Sequence, residues 1–95
     1  MEIFHTFENP IALPSSIKLK IEALLFVSEE PLSLQDLREH IKEASLAEIR
    51  LALKDLEIEY AARAFQLVEI GHKFQLRTRT EYGELLRQHY ISKLS

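Results

Sequence analysis

Four histidines, His5, His40, His72 and His89, are the only side chains in this chain whose ordinary pKa lies near neutrality. They are scattered. No HxxxH or HExxH spacing brings two imidazoles onto one helix face, as a zinc site on a helix requires. Cysteine is absent, which removes thiolate ligands, thiol nucleophiles and disulfides together. Carboxylates adjoin at Glu29-Glu30, but neighbours in an exposed turn do not share a proton as an acid–base pair does. With only Gly71 and Gly83 in the chain, no glycine-rich loop can cradle a phosphate. His89 reads as a core-edge histidine on an apolar stripe, and His72 as an exposed one. The expectation is a non-enzymatic protein with no cofactor and no metal.

What chemistry remains is electrostatic and apolar. The net charge of −3 does not prepare the chain as a whole for a polyanion. From Phe65 onwards Lys73, Arg77, Arg79, Arg87 and Lys93 outnumber Glu69, Glu81 and Glu84. Lys73, Arg77 and Arg79 are therefore the candidates for a weak phosphate contact. The 46% of apolar residues is typical of a folded domain, and 95 residues suffice for one small core. The N-terminus carries acids where a signal peptide needs positive charge, and no apolar run approaches a membrane span. A cytoplasmic protein is expected.

The elements that must position these residues follow from capping and periodicity. Residues 1–14 hold Pro10 and Pro14 and no periodicity, and read as a flexible or docking arm. Ile3, Phe4, Phe7, Ile11 and Leu13 make it too apolar for an indifferent tail. The rest, 15–95, reads as one domain. Ser15 or Ser16 caps a first helix reaching about Ser28. Ile17, Ile21, Leu24 and Leu25 share one face, and Leu19, Ala23, Phe26 and Val27 fill a second. Pro31 ends that run. Ser33 with Asp36 opens a short second helix, and Ser45 with Glu48 a third, predicted to run to about Ala62 with Leu46, Ile49, Leu53, Leu56 and Tyr60 inward. The period then changes to two: Val68 and Ile70 alternate with Glu69, and Phe74 and Leu76 with Gln75 and Arg77, around Gly71-His72-Lys73. Thr80 caps a last helix presenting Tyr82, Leu85, Leu86 and His89. This order predicts a mostly α, α+β winged helix-turn-helix: a three-helix bundle, a two-stranded hairpin wing and a C-terminal helix.

The third helix stands where such folds keep the helix that reads DNA. Its outward side carries Leu51 and Ile58, with Ala47 and Ala62 beside them. Glu48, Asp55, Glu57 and Glu59 outnumber Arg50, Lys54 and Arg63. Base readers place Arg, Lys, Asn or Gln there. An apolar, slightly acidic surface suits a protein partner better, although Leu51 and Ile58 as flanking core residues remains open. So does the alternative of a DNA-binding winged-helix regulator.

Taken in order, three blocks resemble the segregation and condensation protein B (ScpB) family. They are Ile21-Glu22-Ala23-Leu24-Leu25-Phe26-Val27-Ser28-Glu29-Glu30-Pro31-Leu32-Ser33, then Leu53-Lys54-Asp55-Leu56-Glu57-Ile58-Glu59-Tyr60, then Leu67 to Tyr82 around Gly71-His72-Lys73-Phe74. The chain departs from the family at Ala64-Phe65, where glycine is common, at a wing tip poorer in glycine, and at Thr80, often proline. Members carry a second winged helix, which Lys93-Leu94-Ser95 would begin. The resemblance implies the N-terminal half of a dimerising scaffold that grips the kleisin ScpA, through it the SMC ATPase heads, and supports chromosome condensation and segregation at the nucleoid. Contact with DNA would be mostly indirect. Phe4, Phe7, Leu19, Phe26, Val27, Leu51 and Ile58 are the candidate dimer or partner interface.

Overall fold

The computed structural model describes residues 16–94. The arm, with Phe4 and Phe7, lies outside them, as does Ser95. Ser16 has extended backbone, and its Oγ accepts from the Leu19 amide at 3.0 Å, which starts helix α1 (Ile17–Val27). The helix ends where the Ser28 amide donates to the Leu24 carbonyl at 3.0 Å. Helices α2 (Leu34–His40) and α3 (Leu46–Glu59) each open on a complete capping box. In the first, the Ser33 amide donates to Asp36 Oδ2 at 2.9 Å and the Asp36 amide to Ser33 Oγ at 3.0 Å. In the second, the Ser45 amide donates to Glu48 Oε1 at 3.0 Å and the Glu48 amide to Ser45 Oγ at 3.1 Å. Helix α3 stops before the expected Ala62, because residues 60–62 tighten into a 3₁₀ turn.

The wing is a three-stranded antiparallel sheet rather than the expected two-stranded hairpin. Strands β1 (Leu32–Ser33), β2 (Phe65–Ile70) and β3 (Lys73–Thr78) lie in the order β1-β3-β2. Beyond Pro31 the link between α1 and α2 is extended, and Leu32 and Ser33 pair with Phe74 and Lys73. Gly71 and His72 form the two-residue turn of the hairpin, both left-handed at φ +51° and +67°. Two positive φ values match the strong twist of a tight hairpin.

The strand register keeps the expected alternation on β3 and corrects it on β2. Leu67 pairs with Leu76 and Phe65 with Thr78, so Phe65, Leu67, Phe74 and Leu76 face the helices. Val68 and Ile70 take the outer face with Lys73, Gln75 and Arg77. Two further expectations need correcting. Thr80 does not cap the last helix, since a 3₁₀ turn over Thr80–Tyr82 precedes helix α4 (Gly83–Leu94). His89 is exposed on α4 rather than at the core edge.

The core gathers Ile21 and Leu25 of α1, Leu37 and Ile41 from α2 and its end, Ala44, and Ile49, Ala52, Leu53 and Leu56 of α3, closed by Tyr60 and Leu67. Tyr60 stacks obliquely on Phe65 with ring centroids 4.7 Å apart. Among the described residues no buried side-chain polar atom lacks a partner.

Candidate protein-interaction surface

Leu25 and Phe26 are neighbours on α1, yet Leu25 is 3% exposed and Phe26 83%. A helix turns ~100° per residue, so one is buried in the core while the other leaves it. Val27 is 74% exposed and Leu19 38%, and Ala23 is exposed between them. Residues 19, 23, 26 and 27 follow the spacing of one helix stripe, here on the side away from the core. The narrow polar strip beside it is tied down. Lys18 forms an ion pair with Glu59, and the Tyr60 hydroxyl donates to the Glu22 carboxylate. Burial foremost, then that hydrogen bond, push the Tyr60 phenol well above its usual pKa. These two contacts fix α1 on the end of α3 and with it the direction of the apolar stripe.

At the C-terminal end of the stripe lies an apolar groove of about 320 Å³, lined by Leu25, Phe26, Phe65 and Leu76 with Ser28, Arg77 and Thr78 on its rim. On α3, Leu51 and Ile58 are 67% and 66% exposed, so neither is a flanking core residue. They stand seven residues apart on the outward side. A second exposed apolar set, unforeseen in part, runs from Tyr82 in the preceding 3₁₀ turn along α4 through Leu85, Tyr90 and Ile91. The signal was present in the paired apolar residues Leu85-Leu86 and Tyr90-Ile91. Helix α4 continues through Leu94, so Lys93 and Leu94 form its last turn.

The candidate phosphate contacts are not brought together as a basic site. Arg79 is half-buried and directed inward: Nη2 donates to the Tyr60 carbonyl at 2.7 Å, Nε to the Arg63 carbonyl at 2.8 Å and Nη1 to Gln66 Oε1 at 3.3 Å. Lys73 lines a hollow with Glu29, Glu30, Asp36 and Glu39, where acids surround it. Arg77 lies on the outer wing face and its Nε donates to Gln75 Oε1 at 2.9 Å. Among the described residues no three His, Asp or Glu side chains converge as metal ligands, and no helix is long and apolar enough to cross a membrane.

The family model of the segregation and condensation complex subunit ScpB matches residues 19–95. Segregation and condensation protein B of Syntrophotalea carbinolica is 40% identical over 79 residues, covering 81% of this chain and 40% of that protein. That of Alkaliphilus oremlandii is 35% identical over 79 residues, covering 81% of this chain and 42% of its own length. The chain thus spans about two fifths of the curated relatives it matches. Among solved structures, a dimer of an ScpB N-terminal domain complexed with ScpA peptide aligns with a TM-score of 0.67 at 32% identity, over 75% of this chain and 90% of that one. ScpB from Mycobacterium tuberculosis aligns with a TM-score of 0.75 over 83% of this chain and 50% of that one. At 18% identity it attests the winged-helix fold alone.

Proposed function

This chain belongs to the ScpB family of segregation and condensation complex subunits, and from that membership we propose that it is a non-enzymatic, self-associating scaffold that holds a kleisin segment. The single observation that carries the proposal is the stripe of Leu19, Ala23, Phe26 and Val27, exposed on a helix whose opposite side already fills the core. Exposed apolar residues scattered singly are ordinary, but a continuous stripe ending in an apolar groove marks a contact surface. A second copy of the chain is assigned to this stripe, consistent with the dimeric state of the related ScpB N-terminal domain. Leu51 and Ile58 remain candidates for the same interface or for the kleisin. The partner class is ScpA, on the strength of the peptide bound to that relative. Through the kleisin the domain would reach the SMC ATPase heads and the nucleoid.

Sedimentation equilibrium at micromolar concentration tests the first half. The wild-type chain is expected to be dimeric, and Phe26→Asp, at a position 83% exposed and so outside the core, to be monomeric with unchanged circular dichroism. A wild-type monomer, or a folded Phe26→Asp dimer, removes the α1 stripe from the interface. Capture of the central segment of ScpA by the wild-type chain tests the second half, and failure to capture it would leave self-association standing alone.

A further inference from the structure

Strand β2 stands at the end of the sheet, with β3 on one side and an open edge on the other. The phase of its hydrogen bonds follows from the pairing. The Arg79 amide donates to the Ala64 carbonyl at 2.9 Å, and in an antiparallel ladder bonded and unbonded pairs alternate. Gln66–Arg77, Val68–Gln75 and Ile70–Lys73 are therefore the bonded pairs. The backbone N–H and C=O groups of Phe65, Leu67 and Glu69 point away from β3. Among the described residues no backbone hydrogen bond reaches that side. Donors and acceptors that recur at every second residue match an added strand.

Below the same strand, between β2 and α3, lies a groove of about 230 Å³ with Leu53, Leu67 and Phe74 as its floor. That is under the ~300 Å³ at which small-molecule pockets begin, so it suits single side chains. Arg50 and Lys54 stand one helical turn apart on the α3 wall, followed by Glu57, and Glu69 stands on the strand side. Among the described residues neither Arg50 nor Lys54 is in an ion pair. Leu67 and Glu69 share one face of the sheet, so residues opposite them in an added strand turn their side chains towards this groove.

We propose that β2 receives an extended peptide as a fourth strand of the wing sheet, hydrogen-bonded to the backbone of Leu67 and Glu69. An apolar residue of that peptide occupies the floor, and a carboxylate two residues away on the same side meets Arg50 and Lys54. The occupant rests on the kleisin assignment above, and the site leaves the α1 stripe free for the second copy.

The probe is a synthetic peptide of the central segment of ScpA, added to the full chain. Amide hydrogen exchange is expected to slow at Leu67 and Glu69, while Gln66 and Val68, already bonded to β3, change little. Two further peptides, N-methylated at alternate residues in opposite phase, separate a strand from other modes of binding. A strand uses every second amide on one side, so one phase should lose about tenfold or more in affinity and the other bind close to the parent. Arg50→Glu with Lys54→Glu, both exposed, should weaken binding about tenfold with unchanged circular dichroism. A bound peptide that leaves the Leu67 and Glu69 amides unprotected, tolerates both methylation patterns, or binds the double variant as tightly overturns the site and leaves the kleisin assignment standing. No binding of the parent peptide removes the kleisin assignment and the site with it.

Discussion

Nη2 of Arg79 donates to the carbonyl of Tyr60 at 2.7 Å, across the point where α3 gives way to the wing. With its bonds to the Arg63 carbonyl and Gln66 Oε1, one guanidinium ties the 3₁₀ turn after α3 to the start of β2. Arg79→Ala is expected to lower stability by ~2 kcal/mol, the scale of hydrogen bonds made by a charged group, and Arg79→Lys to recover only part of it. Urea denaturation measures both.

The Tyr60–Glu22 hydrogen bond gives an alkaline signature. The folded state holds the phenol above its ordinary pKa of 10, chiefly by burial, so it retains the proton longer than the unfolded chain does. The contribution is fully present below pH ~10 and declines as pH rises from there through the folded-state pKa. Tyr60→Phe is expected to cost ~1 kcal/mol at neutral pH and to remove that alkaline slope. Thermal melts between pH 7 and 11 would test both effects.

The capping boxes give the acid counterpart. The backbone N–H of Ser33, foremost, holds the Asp36 carboxyl below its ordinary 3.8. Its stabilisation is present above that value and is lost as pH falls through the lower folded-state pKa. Asp36→Asn should therefore flatten the acid limb of the stability curve below pH ~4. At the other box, Ser45→Ala is expected to cost ~1 kcal/mol at all pH values near neutrality.

Duplex DNA should not be a ligand of this domain at physiological salt. Arg79 is committed to the fold, and Lys73 sits among Glu29, Glu30, Asp36 and Glu39. Fluorescence anisotropy at ~50 mM salt, where phosphate contacts are strongest, is expected to detect no binding, and Lys73→Glu with Arg77→Glu to change nothing. A binding signal that falls steeply with salt would revive the DNA-regulator alternative.

The helices were legible because their start signals are local. Ser16, Ser33 and Ser45 each cap their own following turn, and nothing distant is needed to see it. The α1 stripe was legible for a similar reason, since too many large apolar side chains share one helix. The face of β2 was not. Phe65-Gln66-Leu67-Val68-Glu69-Ile70 supports an alternating apolar set in either phase, and only pairing with β3 chooses Phe65 and Leu67. Arg79 misled for another reason: the carbonyls it binds lie 16 and 19 residues earlier, beyond any local pattern. His89 followed from assuming a layer over α4, and the described structure places its imidazole in solvent.

The two-residue strand β1 has a kinetic consequence. Leu32 meets Phe74 across about forty residues of chain, whereas the β2–β3 hairpin closes over a two-residue turn. Bringing distant segments together incurs loop entropy before any contact offsets it, so the hairpin and the capped helices form first and the Leu32–Phe74 pairing last. Truncating Leu32 to Ala should therefore accelerate unfolding and leave the refolding rate nearly untouched, a φ-value near zero, while Leu53→Ala in the buried face of α3 slows refolding. Stopped-flow chevrons would read the difference, and with it how long a newly made wing waits for the helices to close over its edge.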